Sequence, residues 1–128
     1  MIELIEGLPE QVVGLEAVGK VTADDYGVVA AAVEHVLTTH EQVRLIHVIG
    51  DRFTGHSASA LLEDARLGLS NVRSIERTAV VTDLQRVGAL VKGAGWSLPG
   101  ELKLFATAER AEAEAWISEG LEIESPGS

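Results

Sequence analysis

The side chains with the greatest chemical capacity are grouped between residues 51 and 59. Asp51, His56 and Ser57 supply a carboxylate, an imidazole and a hydroxyl, which are the three groups of a serine hydrolase triad. Adjacent residues on a turn rarely point at one another, however, and no oxyanion glycine motif precedes the serine. Ser57 is better explained as a helix N-cap and Asp51 as a turn residue. A hydrolase or transferase that uses Ser57 and His56 is therefore the alternative hypothesis.

The sequence indicates neither a metal site nor a cofactor. Of the four histidines, His35, His40, His47 and His56, no two are spaced to share one helical face with a third ligand near them. His47 falls within a predicted strand, and we expect it to be a hydrogen-bonded core or interface residue. Gly55 precedes a predicted helix N-terminus, where backbone N–H groups attract anions. A single glycine is too little to predict a phosphate site.

A predicted strand, turn and helix would position these groups. Val43–Ile49 has apolar side chains at both odd and even positions, which is the pattern of a central strand covered on both faces. Residues 50–56 are predicted to form a turn, and residues 57–69 an amphipathic helix. In open α/β sheets, ligands and partners bind where such loops leave the carboxyl ends of the strands. We therefore expect binding at residues 51–59.

Further candidates follow the later strands. Thr82 and Asp83 come at the end of a predicted strand, and their first expected role is to cap the next helix. Trp96 stands in a glycine-rich connection where no apolar stripe accounts for it. With Phe53 it would form an apolar mouth or a dimer patch, if both loops leave the same edge of the sheet. The alternative is that both aromatic side chains fold back onto the core.

The N-terminal part of the chain predicts a hairpin and a helix. Ile2, Glu3 and Leu4 alternate as in a strand, and residues 12–18 have the β-rich content of a second one, with a short turn between them. They are expected to pair as an antiparallel hairpin. Thr22 is a hydroxyl N-cap followed by two carboxylates, and the apolar stripe of the helix that it begins ends at Leu37.

The C-terminal part predicts a last strand and a last helix. Leu102, Leu104 and Phe105 give the strand, and Thr107 is expected to cap a helix that buries Ala113, Trp116 and Ile117. The full order is β-β-α-β-α-β-α-β-α. Alternation of strands and helices predicts an α/β fold with a single sheet, in which the crossovers after the hairpin are parallel and right-handed.

Length and composition limit the organisation and the partners of the protein. A chain of 128 residues supplies one domain, predicted as residues 1–118, with 119–128 as a frayed acidic and then Ser/Pro/Gly-rich tail. Ten basic against twenty acidic residues give a net charge of −10, which repels nucleic acids and anionic lipid heads. The absence of cysteine favours a cytoplasmic location. No leader and no membrane span are expected.

Several short stretches of the sequence are informative in combination. They are Gly7–Pro9, Gly19–Tyr26, Phe53-x-Gly55, Glu63–Asp64, Ile75–Val81 and Ala113-x-x-Trp116. Together these stretches resemble the SpoIIAA-like family of STAS-type domains. The resemblance covers residues 1 to 118, and it implies the STAS fold and a regulatory or ligand-binding module instead of a catalyst.

Two departures from the family pattern concern the loop. The Asp-Ser-Ser/Thr-Gly phosphorylation motif of anti-sigma-factor antagonists is replaced by the sequence of residues 53–59, so a phosphoswitch cannot be carried over. His56 stands where the family often has Trp. The leading hypothesis is a non-enzymatic module that binds a protein or a small apolar ligand at residues 51–59.

Self-association is a further expectation. The mean hydropathy of +0.18 is high for a small acidic domain, and Val28, Ala31 and Ala32 lie off the apolar stripe of the first helix. A two-fold dimer that uses Phe53 and Trp96 would bury such surface.

Overall fold

The computed structural model describes residues 1–57, 73–85 and 100–121. Trp96, most of the helix predicted over residues 57–69 and most of the helix predicted after Thr82 lie outside the described residues.

The described elements are seven strands and two α-helices, each helix preceded by a single 3₁₀ turn. The strands are β1 (Ile2–Ile5), β2 (Val12–Ala17), β3 (Gly19–Val21), β4 (Val43–Ile49), β5 (Phe53–His56), β6 (Ile75–Thr82) and β7 (Glu101–Phe105). The helices are α1 (Tyr26–Leu37) and α2 (Arg110–Ile117).

Five of the strands form one sheet in the order β1-β2-β4-β6-β7. β1 pairs with β2 antiparallel, and the pairs β2·β4, β4·β6 and β6·β7 are parallel. The predicted hairpin, the central position of β4 and the α/β class are confirmed. The alternating apolar side chains of β4 divide between two cores, with Leu45 in one and Ile46 and Val48 in the other.

β3 and β5 form a second, two-stranded parallel sheet that the sequence pattern did not predict. The interpretation of residues 50–56 as a turn is therefore wrong for Phe53–His56. The register shifts between Gly19 and Lys20, and Gly55 has a φ of +151°, a conformation that side-chain-bearing residues rarely adopt. Both strands are short and contain glycine, so their pairing depends on long-range contacts and not on a local apolar period.

Helix α1 covers one face of the sheet. Its buried residues are Tyr26, Val29, Val33 and Val36, which pack against side chains of β2 and β4, as the apolar stripe predicts. The 3₁₀ turn Ala23–Asp25 begins at Thr22, whose backbone N–H donates to Asp25 Oδ2 at 2.7 Å. The predicted start of the helical segment at Thr22 is thus confirmed, with a tighter first turn.

Helix α2 covers the opposite face. Ala113 and Ile117 are fully buried against Ile46 and Val81, and Trp116 lies at the rim with its ring centroid 6.0 Å from that of Phe105. The predicted apolar face of this helix is confirmed.

The predicted cap of the last helix is wrong. The 3₁₀ turn Thr107–Glu109 follows Ala106, whose N–H donates to Glu109 Oε1 at 2.8 Å. Thr107 instead donates both its N–H and its hydroxyl to the carboxylate of Asp83. A carboxylate 24 positions away attracts these donors more strongly than the local turn does, and the local sequence contains no sign of it.

Two arginines from the sheet hold the C-terminus of α2. Arg44 Nη1 in β4 donates to the carbonyls of Ile117 (3.0 Å) and Glu119 (2.7 Å). Arg77 Nη1 in β6 donates to the carbonyl of Trp116 at 2.9 Å, and its guanidinium lies 5.1 Å from the Trp116 ring centroid. The last carbonyls of a helix have no partner within it, so these two side chains satisfy them.

The first residues of the predicted tail take part in this packing. The carbonyl of Glu119 accepts from Arg44, and Leu121 packs against the core under α2. Residues 122–128 lie outside the described residues. In the described part of the chain, no helix has the length and apolar character that crossing a membrane requires.

Substitution of two valines in α1, one buried and one exposed, tests the packing of this helix. Val33 is 2% exposed and Val28 is 48% exposed, so the same substitution deletes the same methyl groups in two environments. Val33→Ala should lower the free energy of unfolding by about 2 kcal/mol, and Val28→Ala should change it by about 0.5 kcal/mol or less. Urea denaturation measures both, and equal losses would contradict the docking of α1.

The arginine cap of α2 can be separated from its ion pair. Arg44→Met keeps the apolar stem but removes the donor from two partly buried carbonyls, so unfolding should become easier by about 2–3 kcal/mol. Glu76→Gln removes the carboxylate that Arg44 Nε contacts at 2.6 Å. Because the Glu76 side chain is 35% exposed, the loss should stay below about 1 kcal/mol. A larger loss from Glu76→Gln than from Arg44→Met in the same melts would show that the ion pair matters more than the cap.

Candidate functional site

Three loops meet at the carboxyl edge of the sheet, where β4, β6 and β7 end. Asp83, directly after β6, accepts hydrogen bonds from the N–H of Thr107 (2.9 Å) and from its hydroxyl. Gly50, directly after β4, lies beside the Thr107 methyl group. We name residues 50–54, 83–84 and 106–110 the carboxyl-edge surface.

The Asp83 carboxylate is held in its charged form. The hydroxyl of Thr107, and next its backbone N–H, lower the pKa of Asp83 below the ordinary value of 3.8, because donors to a carboxylate favour the ionised state. Asp83 is thus a structural acceptor between two loops.

A chain of charged side chains joins the first loop to α2. Arg52 contacts Glu3 at 3.0 Å and Glu16 at 3.9 Å. Arg110, in the first turn of α2, contacts the other oxygen of Glu16 at 3.6 Å and Glu114 at 3.7 Å. Glu16 is well shielded from solvent. Its two carboxylate oxygens contact two arginines from different elements. The loop after β4 is therefore tied to β1, β2 and α2.

The structure separates the groups of the hypothetical triad. Asp51 is exposed in the turn before β5, and Ser57 follows the other end of that strand, where its N–H donates to the Val21 carbonyl at 2.9 Å. His56 is the last residue of β5, and its side chain lies outside the description. An extended strand thus stands between the carboxylate and the hydroxyl, so the structure does not bring these two together.

Phe53, Gly55 and Thr82 have structural roles at this edge. Phe53 packs against the core under α1, which matches the alternative in which it folds back. Gly55 permits the positive φ of β5. Thr82 is buried, and its hydroxyl accepts the Leu84 N–H at 3.1 Å. Leu84 itself is 36% exposed and adds an apolar side chain to the carboxyl-edge surface. Trp96 lies outside the described residues.

Sequence reasoning missed a polar cleft at the opposite edge, beside the amino ends of β4, β6 and β7. Its volume is about 340 Å³, and Arg44, Arg73 and Arg77 are among its lining residues. An arginine inside a strand predicted to be covered on both faces was the available signal, since a buried charge needs partners. Within the described ranges, no group of three or more His, Asp or Glu side chains is placed to hold a metal ion.

Comparison with protein families tests the family membership that the sequence motifs indicated. The model of the SpoIIAA-like family matches residues 12–118, a range that includes both helices and every strand of the main sheet except the first. The chain belongs to the SpoIIAA-like family. The resemblance predicted from the sequence is confirmed.

A solved structure shares the SpoIIAA-like fold of this protein. It is an uncharacterised protein of the DUF3478 family from Shewanella loihica PV-4, 24% identical, with a TM-score of 0.69. The alignment covers 91% of this chain and 92% of that one. At this identity the likeness concerns the fold. No curated protein matches the chain.

The Asp83–Thr107 contact predicts a measurable pKa change. In Thr107→Val, the pKa of Asp83 should rise toward 3.8, because its strongest donor is lost. The pKa of Asp25, lowered chiefly by the backbone N–H of Thr22, should not change and serves as control. Carboxyl-detected NMR titration measures both values, and an unchanged Asp83 pKa would contradict the contact.

The same shift sets a pH dependence of stability. A carboxylate whose folded pKa is depressed contributes stability above its unfolded pKa and loses it as the pH falls through the folded value. The destabilisation caused by Thr107→Val should therefore be largest above the ordinary pKa of 3.8 and shrink at lower pH. Urea melts at a series of pH values measure this difference, and a loss that is the same at every pH would contradict the link to Asp83.

Proposed function

We propose that this SpoIIAA-like protein is a non-enzymatic binding module of STAS type, and that it contacts its partner through the carboxyl-edge surface. Of the predicted region 51–59, the proposal keeps residues 51–54, and it adds residues 83–84 and 106–110 from the adjoining loops.

The observation that carries the proposal is the contact between two of the loops. Asp83 and Thr107 join the loop after β6 to the turn before α2. The ion pairs of Arg52 and Arg110 with Glu16 are long, at 3.9 and 3.6 Å, and both arginine side chains reach solvent, so these pairs add little. Loops held as Asp83 and Thr107 hold them lose little conformational entropy when a partner binds, and preorganisation of this kind favours affinity.

The chemistry of the candidate residues supports binding over catalysis. The Thr82 hydroxyl accepts a backbone N–H, and the Asp83 carboxylate accepts two donors. These groups maintain the loops. Asp51, Arg52 and Leu84 are exposed, a mixture of charge and apolar area that suits a protein surface or a small apolar ligand.

Self-association and a cytoplasmic location stay predictions. Phe53 packs against the core, so it does not supply an exposed dimer patch. The exposed large apolar side chains among the described residues are Met1, Leu4, Val28 and Leu84, and a two-fold contact would draw on some of these.

The test of the binding-module proposal is a screen for turnover. The full chain is incubated with acyl ester and phosphoester substrates, beside Ser57→Ala and Thr54→Ala, the second being a nearby exposed hydroxyl as control. We expect no turnover above the background of the controls. Turnover that is lost in Ser57→Ala and kept in Thr54→Ala would replace the proposal with the hydrolase or transferase alternative.

A further inference from the structure

The cleft at the amino edge of the sheet concentrates positive charge in an acidic protein. Its volume of about 340 Å³ lies at the lower end of the range of about 300–1,000 Å³ for small-molecule sites. Arg44, Arg73 and Arg77 line it together with two carboxylates, Glu76 and Glu101. The lining thus holds one more cation than carboxylates, with Glu119 contacting Arg77 from outside the lining, whereas the chain carries −10.

Two of the guanidinium groups are fixed in the wall of the cleft. The Arg44 side chain is 9% exposed, and its Nε and Nη1 are held by Glu76 and by two carbonyls of the α2 terminus. Arg44 is thereby fixed among the residues that line the cleft. Arg77 is held by the Trp116 carbonyl and ring.

The carboxylates that compete for Arg77 are far more exposed than the arginine itself. Glu101 contacts Arg77 Nε at 2.9 Å and Glu119 contacts Nη2 at 3.4 Å, and their side chains are 64% and 67% exposed against 18% for Arg77. Exposed ion pairs contribute little to stability. An incoming oxyanion can therefore replace one of these carboxylates without disturbing the arginine.

Arg73 is the cleft arginine that the described fold does not use. It is exposed, lines the same cleft, and has no ion pair or hydrogen bond with the described residues. Arg44 and Arg77 are sufficiently explained by the cap of α2, but Arg73 is not. An exposed planar guanidinium beside two fixed ones is the arrangement that binds carboxylate and phosphate groups.

We propose that this cleft is a binding site for a small oxyanion, a carboxylate or a phosphate group, with Arg73 as the principal donor beside Arg77 and Arg44. The site lies at the opposite edge of the sheet from the carboxyl-edge surface, so the proposal is independent of the binding-module function.

An NMR titration at constant ionic strength tests the site. Inorganic phosphate and succinate are added separately to the full chain, with sodium chloride as the balancing salt, and the amides of Gly100 and Glu101 are followed. At least one of the two anions should produce chemical-shift changes that saturate with concentration. Which anion saturates shows whether the site prefers phosphate or carboxylate.

Three variants complete the test. Arg73→Ala should weaken binding about tenfold, the effect of one charge-assisted contact. Arg52→Ala, an exposed arginine at the other edge, should leave the affinity unchanged. Glu101→Gln should strengthen binding several-fold, because it removes a competing carboxylate.

Saturable binding that is weakened by Arg73→Ala and strengthened by Glu101→Gln supports the site. Shifts that stay linear with both anions, or an affinity that Arg73→Ala and Arg52→Ala change equally, would overturn it, since general charge screening would then explain the effect. Arg44 is not varied, because its substitution destabilises the fold.

Discussion

The bonds from Arg44 and Arg77 to the last carbonyls of α2 support the rest of this structure. α2 has eight residues, and isolated helices of that length are not stable in water. Its last turn contains no basic residue that could satisfy the terminal carbonyls. The sheet supplies two guanidinium groups instead, and the helix that they hold covers the core formed by Ile46, Val81 and Phe105. Without this attachment, one face of the sheet would lose a cover.

The position of α2 also relates the two edges of the sheet. Its C-terminus lies beside the polar cleft, and its N-terminus lies at the carboxyl edge, where Thr107 bonds Asp83 and Arg110 contacts Glu16. Most of the described arginine and lysine side chains contact carboxylates or aromatic rings within the fold. Arg44, Arg52, Arg77 and Arg110 form ion pairs, and Lys103 lies over Phe105 and Trp116. In a chain with an excess of acidic residues, an arginine such as Arg73 that forms no such contact in the described structure is unusual, and this is why the cleft is of interest.

Much of the fold could be predicted because its signals are local and periodic. The stripe of Tyr26, Val29 and Val33 recurs at helical spacing, and the two-sided apolar pattern of β4 marks a central strand. Ala113 and Ile117 lie one turn apart and meet on the buried side of α2. For the candidate site, topology alone indicates that residues after β4 and β6 share an edge, and the sequence predicts no more than this.

The sequence by itself determined the α/β class, the hairpin, the central strand, the buried faces of both helices and membership of the SpoIIAA-like family. Only the tertiary structure decided that residues 53–56 form a strand with residues 19–21, that Thr107 bonds Asp83 and not its own turn, and that Arg44 caps a helix 73 positions away. The reason is physical. Burial of an apolar face repeats with the period of its own helix or strand, so it can be recognised from neighbours in the chain. A hydrogen bond to a charged group is directional and depends on which distant segment the folded sheet brings within reach.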